Sequence, residues 1–225
     1  LSANNSGGSN TSIGHESLTA NTTGAANVAV GANALTINTT GGYNTALGGS
    51  TLYANTTGAT NVAIGFESMV ANTTGIDNVS IGVDALKTTT TANNNTAVGR
   101  NALKLNTSGH SNVGVGRLAL QSNTTGIRNV AVGEGALGSN LTGHTSTALG
   151  HRALQLFQGS AGECSAVGTY SQYSNTSGPD NNSFGYDSLA QLTTGSYNCA
   201  FGNTSGDAIT TGTYNTAIGQ AAGGD

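Results

Sequence analysis

One glycine returns every 17 residues along the chain, and that period restricts the fold more than any other feature. Aligned on the glycine that follows a small-then-apolar pair, the positions are Gly14, Gly31, Gly48, Gly65, Gly82, Gly99, Gly116, Gly133, Gly150, Gly168, Gly185, Gly202 and Gly219. A single step, Gly150 to Gly168, is 18 residues long. A phase held over thirteen copies is the mark of stacked repeats. The consensus copy reads N-[TV]-A-[VIL]-G-x-x-A-L-x-x-N-T-T-G-x-x, as in 61–77.

Composition agrees. Gly, Thr, Asn and Ser make up just over half of the 225 residues, and only 5 % are aromatic. Too few large apolar side chains exist to fill a conventional core. Disordered chains are richer in charge and proline than this one, with 7 % charged residues and a single Pro. The 36 % of hydrophobic residues must be buried in some other way.

The columns of the repeat, numbered from the anchor glycine, say how. Position −1 is apolar in every copy, from Ile13 and Val30 to Phe201 and Ile218, and position +4 is mostly Leu. These two columns are expected to form the buried stack. The Val-, Thr- and Ile-rich segment before the glycine reads as a strand. The Asn-Thr-Thr-Gly stretch and anchors such as Gly31, Gly48 and Gly65 read as turns. A unit of two short extended pieces and two turns is one coil of a β-solenoid. The sequence therefore predicts an all-β chain, a parallel β-solenoid or β-roll of thirteen 17-residue coils. Residues 1–225 form one repetitive shaft segment with an irregular coil at 155–173. Stacking at about 4.8 Å per coil gives a rod on the order of 60 Å long. Neither end carries a recognisable cap, and LSANNSGGSN reads as mid-repeat sequence, so a longer fibre is expected to continue beyond this stretch.

Position −4 is Asn in eleven of thirteen copies, Asn27, Asn44 and Asn61 among them, with Ser146 and Cys164 as exceptions. Such asparagines either bond along the axis as a ladder or each close their own turn. Position −2 holds only Ala, Ser or Gly, as at Ala29, Ala46 and Ala63, and position +3 only Ala, Ser or Thr. Strand alternation puts the −2 column opposite its apolar neighbour. Another surface must come close there, either the roll's own far wall or neighbouring chains. A core this thin favours neighbouring chains, so an association of several chains is expected.

The blocks NTTGATNVAIGFESM, NTTGIDNVSIGVDAL and TTGTYNTAIGQAA resemble repeats in the shafts of bacteriophage tail-fibre proteins. The NVAIG, NTALG and NTAIG cores are also similar to the left-handed β-roll heads of trimeric autotransporter adhesins, whose repeat is shorter than 17 residues. Both resemblances imply a homotrimer of parallel β-structure outside the cell, on a virion or a cell surface, with a cell-surface glycan or protein receptor as partner.

Variation concentrates at two corners of the repeat, the pair after the anchor glycine and the pair before the −4 Asn. Variable corners on a fixed frame suit ligand contact. Arg100 and Arg117 share a column on adjacent coils, followed by Glu134 and His151 with Arg152 beside it. Stacked arginines repel unless they share a carboxylate or an anionic ligand, and Glu134 supplies the simpler answer. Tyr170, Tyr173, Tyr186, Tyr197 and Tyr214 place five of the seven tyrosines near the C-terminus, on a support suited to carbohydrate or protein contact.

Other chemistry is sparse. Net charge −4 and six basic residues exclude a phosphate-tracking surface, so nucleic acid is not expected as a partner. No apolar run is long enough to span a bilayer. Cys164 and Cys199 fall two coils apart, roughly 9–10 Å, too far for a disulfide, and read as free thiols filling small spaces. His110 and His144 lack the partners of a metal site, and no cofactor is expected. No Ser-His-Asp set or P-loop can be assembled. Glu67 and Asp84 share a column at a spacing that a glycosidase pair could use, as any charged corner would, and the chain is read as a non-enzyme. A rival of another class is an ice-binding solenoid, because Thr22, Thr39, Thr56, Thr73, Thr90, Thr107 and Thr124 stack at one position.

Overall fold

A computed structural model describes residues 3–159 and 163–223. Every regular element among them is a three-residue strand, one per repeat, and the chain is an all-β parallel solenoid. It divides into two compact units, 1–111 and 112–225. The first holds β1 (Thr11–Ile13), β2 (Val28–Val30), β3 (Thr45–Leu47), β4 (Val62–Ile64), β5 (Val79–Ile81) and β6 (Thr96–Val98). The second holds β7 (Val113–Val115), β8 (Val130–Val132), β9 (Thr147–Leu149), β10 (Ser165–Val167), β11 (Asn182–Phe184), β12 (Cys199–Phe201) and β13 (Thr216–Ile218). Within each unit every strand pairs in parallel with the next, and the register keeps repeat columns together: Val62 faces Val79, Ala63 faces Ser80, and Ile64 faces Ile81.

The repeat contains one extended piece rather than two. The other half of each coil is a chain of turns in which non-glycine residues adopt left-handed φ, 54° at Glu67 and 51° at Met69 in one coil. Left-handed backbone costs L-residues roughly 1–2 kcal/mol each. Hydrogen bonds between coils hold the turns in place, as from the Leu52 N–H to the Ser68 carbonyl at 3.1 Å and from Glu67 to Gly49 at 3.0 Å. The anchor glycine has a stricter requirement. Gly65 has φ 123°, and a Cβ there would lie 2.8 Å from the Gly82 carbonyl of the next coil.

The faces are the reverse of those expected. In β2 through β13 the central small residue is buried and its neighbours are not. Ala29, Ala46 and Ala63 have no solvent exposure, nor do Ala34 and Leu35, so the −2, +3 and +4 columns line the coil's own interior. The −1 column points outward: Ile13 is 60 % exposed, Phe201 56 % and Ile218 70 %. The cause is volume. Leucine from the +4 column and two columns of asparagine already occupy the lumen, leaving room for a methyl but not for valine or isoleucine. The small columns thus answer to the roll's own far wall.

The −4 asparagines form a ladder, and some of them, Asn78 and Asn181 among them, also bond a carbonyl of their own turn. Asn44, Asn61, Asn78 and Asn95 each donate through Nδ2 to Oδ1 of the preceding member, at 3.1–3.2 Å. Each amide also reaches across the lumen to a turn carbonyl of the next coil, as from Asn61 to Gly75 at 2.8 Å. A second ladder runs through Asn21, Asn38, Asn55 and Asn72 at 2.7–2.8 Å. Its members belong to the Asn-Thr-Thr-Gly stretch, which therefore lines the interior as well as turning the chain. Buried amides are tolerable only when their donors and acceptors are paired, and the ladders provide those partners.

Within 155–173, residues 160–162 lie outside the described residues. In the described part, Phe157 occupies the second ladder's column and is fully buried. Leu192 does the same farther on, packing with Leu189, Ala200 and Ala217 against Ile209. The last coils thus exchange polar ladder for apolar filling.

Candidate functional site

The variable side chains leave the coil at corners that the left-handed turns create, and three groupings result. In the first unit Lys87 sits between Glu67 and Asp84, 2.5 Å and 3.0 Å from their carboxylates, and Lys104 reaches Asp84 at 3.0 Å. Burial raises the Asp84 pKa, and hydrogen bonds from Lys87 and Lys104 more than offset it, leaving the carboxyl below its ordinary value. Hydrogen bonds to Glu67 and Asp84 raise the Lys87 pKa. The carboxylate column is therefore a neutralised ion network.

In the second unit Arg117 pairs with Glu134 through Nη2 and Oε1, both side chains being well exposed. The hydrogen bond from Arg117 lowers the Glu134 pKa, with smaller help from the charges of His151 and Arg152. Arg100 belongs to the first unit. Arg117 has thus found the carboxylate that its column offers.

The tyrosines separate into two places. His151, Tyr170 and Tyr173 form an edge-to-face chain, with ring centroids 5.2 Å and 5.6 Å apart. Tyr186 stands next to Asp187, and hydrogen bonding to that carboxylate raises the phenol's pKa. Tyr197 and Tyr214 lie at the opposite corner, stacked 4.9 Å apart and nearly parallel. Around the first group is a cleft of about 370 Å³, lined by Tyr170, Tyr173, Asp187, Ala190, Thr204 and Asp207. The sequence reading singled out the two tyrosines. It did not connect them with Asp207, which lies three positions beyond the variable pair and reaches the same place only through the coil's turn.

The outward sheet face is the other surface with chemical character. Phe184 and Phe201 stack in parallel at 5.0 Å on β11 and β12, beside a shallow apolar groove that includes Val167 and Cys199. Cys199 is exposed there and fills no interior space, whereas Cys164 is buried. Burial pushes the Cys164 thiol up to about 11, and its Sγ sits 3.3 Å from the Gly178 carbonyl in place of the ladder amide. Both thiols are free.

The threonine column has hydroxyls that donate along the stack, from one coil to the next. Thr22, Thr39, Thr56 and Thr73 each bond the carbonyl of the next threonine at 3.0–3.1 Å. Among the described residues no group of three or more His, Cys, Asp or Glu could hold a metal ion, and no helix is long and apolar enough to cross a membrane. No family model, no curated protein and no solved structure matches the chain.

Proposed function

We propose that this chain is a shaft segment of an extracellular homotrimeric fibre, most akin to a phage tail fibre, that holds a receptor-binding element away from the particle. The observation that carries the proposal is the outward apolar column. A solenoid that stood alone in water would place polar residues on the outer face of its sheet, as antiparallel sheets facing solvent do. Here position −1 is Val, Ile, Leu or Phe in every copy, with Phe184 51 % and Phe201 56 % exposed. A three-residue strand is about 10 Å long and strands repeat at about 4.8 Å. The six or seven strands of each unit present a face on the order of 300 Å², and exposed apolar surface of that order is often an interaction site. The interface thus moves from the small columns, which the coil uses itself, to the apolar one.

The repeat blocks that resemble tail-fibre shafts support the same reading, as does a frame whose backbone is bonded from coil to coil. Light scattering on a size-exclusion column tests it. The chain is 22.1 kDa, and a species of about three times that mass is expected. A stable monomer at micromolar concentration would overturn the proposal.

A further inference from the structure

The two units use one corner of the repeat in opposite ways. In the first, positions +2 and +5 of three successive coils supply Glu67, Asp84, Lys87 and Lys104, joined by three ion pairs. In the second, the corresponding residues are Tyr170 for Glu67, Asp187 for Asp84, Ala190 for Lys87 and Asp207 for Lys104. Both lysines are gone. One has become a methyl and the other a carboxylate, while the acceptor Asp84 is kept as Asp187. The cleft of about 370 Å³ opens at this corner, and Ala190, Asp187 and Asp207 line it.

The residues that replace the lysines say what fits. Lys87 Nζ lies within hydrogen-bond reach of position +2 in its own coil and in the coil before it. The equivalent place in the second unit is bordered by the Asp187 carboxylate and the Tyr170 ring. Lys104 touches position +2 of the preceding coil, so Asp207 belongs to a pair of positions that stand at ion-pair distance in the first unit. Two like charges set there attract a cation. Tyr173, edge-on to Tyr170 at 5.6 Å, adds a second aromatic wall. Aromatic faces beside carboxylates are the chemistry that binds alkylammonium groups.

We propose that the Tyr170–Asp187–Asp207 cleft binds a ligand bearing an alkylammonium group, which takes the place that the Lys87 ammonium fills in the first unit. The sources of such a group on a cell surface include a de-N-acetylated amino sugar and a choline headgroup. A neutral sugar offers no charge to the two aspartates. The proposal stands whether the chain is a monomer or a trimer.

The test is a titration followed by NMR of the tyrosine ring resonances, with glucosamine, glucose, N-acetylglucosamine and choline as probes. Saturable shifts of Tyr170 and Tyr173 are expected with glucosamine or choline, at millimolar Kd, and at least tenfold weaker binding with glucose and N-acetylglucosamine. The tighter of the two cationic probes identifies the source. Asp207→Asn is expected to weaken binding about tenfold. Ala190→Lys restores the internal ammonium of the first unit and is expected to abolish binding while keeping the fold. Equal affinity for glucose and glucosamine overturns the proposal, as does undiminished binding by Ala190→Lys or the absence of any saturable shift.

Discussion

Asn61→Ala removes one rung of the interior ladder, and the bonds around that rung set the size of the effect. Asn61 Nδ2 donates to Asn44 Oδ1 at 3.2 Å and to the Gly75 carbonyl at 2.8 Å. Its Oδ1 accepts from the Asn78 N–H at 3.0 Å and from Asn78 Nδ2 at 3.1 Å. The neighbours are affected unequally. Asn44 Oδ1 keeps the Asn61 backbone N–H, the Gly75 carbonyl keeps Asn72 Nδ2, and Asn78 Nδ2 keeps Ala92 and Ile76. The Asn78 N–H loses the partner that the ladder gave it, inside a fully buried residue. An orphaned buried donor costs about 1–3 kcal/mol and each lost bond about 1 kcal/mol net. A total loss of roughly 2–4 kcal/mol is expected. Urea unfolding at fixed chain concentration measures it, and hydrogen exchange at the Asn78 amide locates it. Asn203→Ala, at an exposed corner, is the control and is expected to change stability by no more than about 0.5 kcal/mol. A loss below about 1 kcal/mol with unchanged protection of the Asn78 amide would refute the reasoning.

Three further outcomes follow from the same geometry. Gly65→Ala is expected to cost about 3 kcal/mol or more, because φ 123° and the 2.8 Å approach to Gly82 both forbid a Cβ, while Gly49→Ala, whose nearest atom is the Phe66 ring at 3.5 Å, should be nearly neutral in thermal unfolding. Thr89 interrupts the second ladder and leaves Asn72 Oδ1 buried without a partner; Thr89→Asn is expected to raise stability by about 1 kcal/mol in urea titrations. The Asp84 pKa is lowered from 3.8, so the lysine network's contribution is present above pH 3.8 and lost as pH falls through the folded value. The raised Lys87 pKa keeps that contribution whole up to 10.5. Because the pairs are partly exposed, the acid loss is expected at about 0.5–1 kcal/mol, and Asp84→Asn should remove that part of it when unfolding midpoints are compared across pH.

Much of this was readable in the sequence because identical residues stack on themselves. The anchor glycines gave the period, the Val-Ala-Ile triplets gave the strand, and the −4 asparagines gave a choice between a ladder and a turn closure. Which side of the strand faces inward was not readable. Ala63 and Ile64 are both apolar, and alternation says only that they lie on opposite faces. Their assignment depends on the width of the lumen, which Met69 and the two amide columns fix only after the coil has closed. Asn55 and Asn72 were hidden for another reason: a turn consensus explains Asn-Thr-Thr-Gly completely, so nothing on the page of letters demanded a second role. The lysine bridge and the Asp207 contribution escaped because left-handed turns fold position +5 back beside position +2 of the preceding coil. Neither helical nor strand periodicity brings those positions together.

The assignment of the two strand faces underlies both the packing of the coil and the proposed assembly. The decisive comparison is the scattering mass and β-sheet circular dichroism of Ile64→Asp with Ile81→Asp, beside Ala63→Asp with Ser80→Asp. The outward pair is expected to keep the β-sheet signal and to fall to the mass of a single chain. The inward pair, which buries two charges in a lumen lined by Ala63 and Ser80, is expected to lose the fold. An inward pair that stays folded but dissociates, or an outward pair that unfolds, would contradict the account.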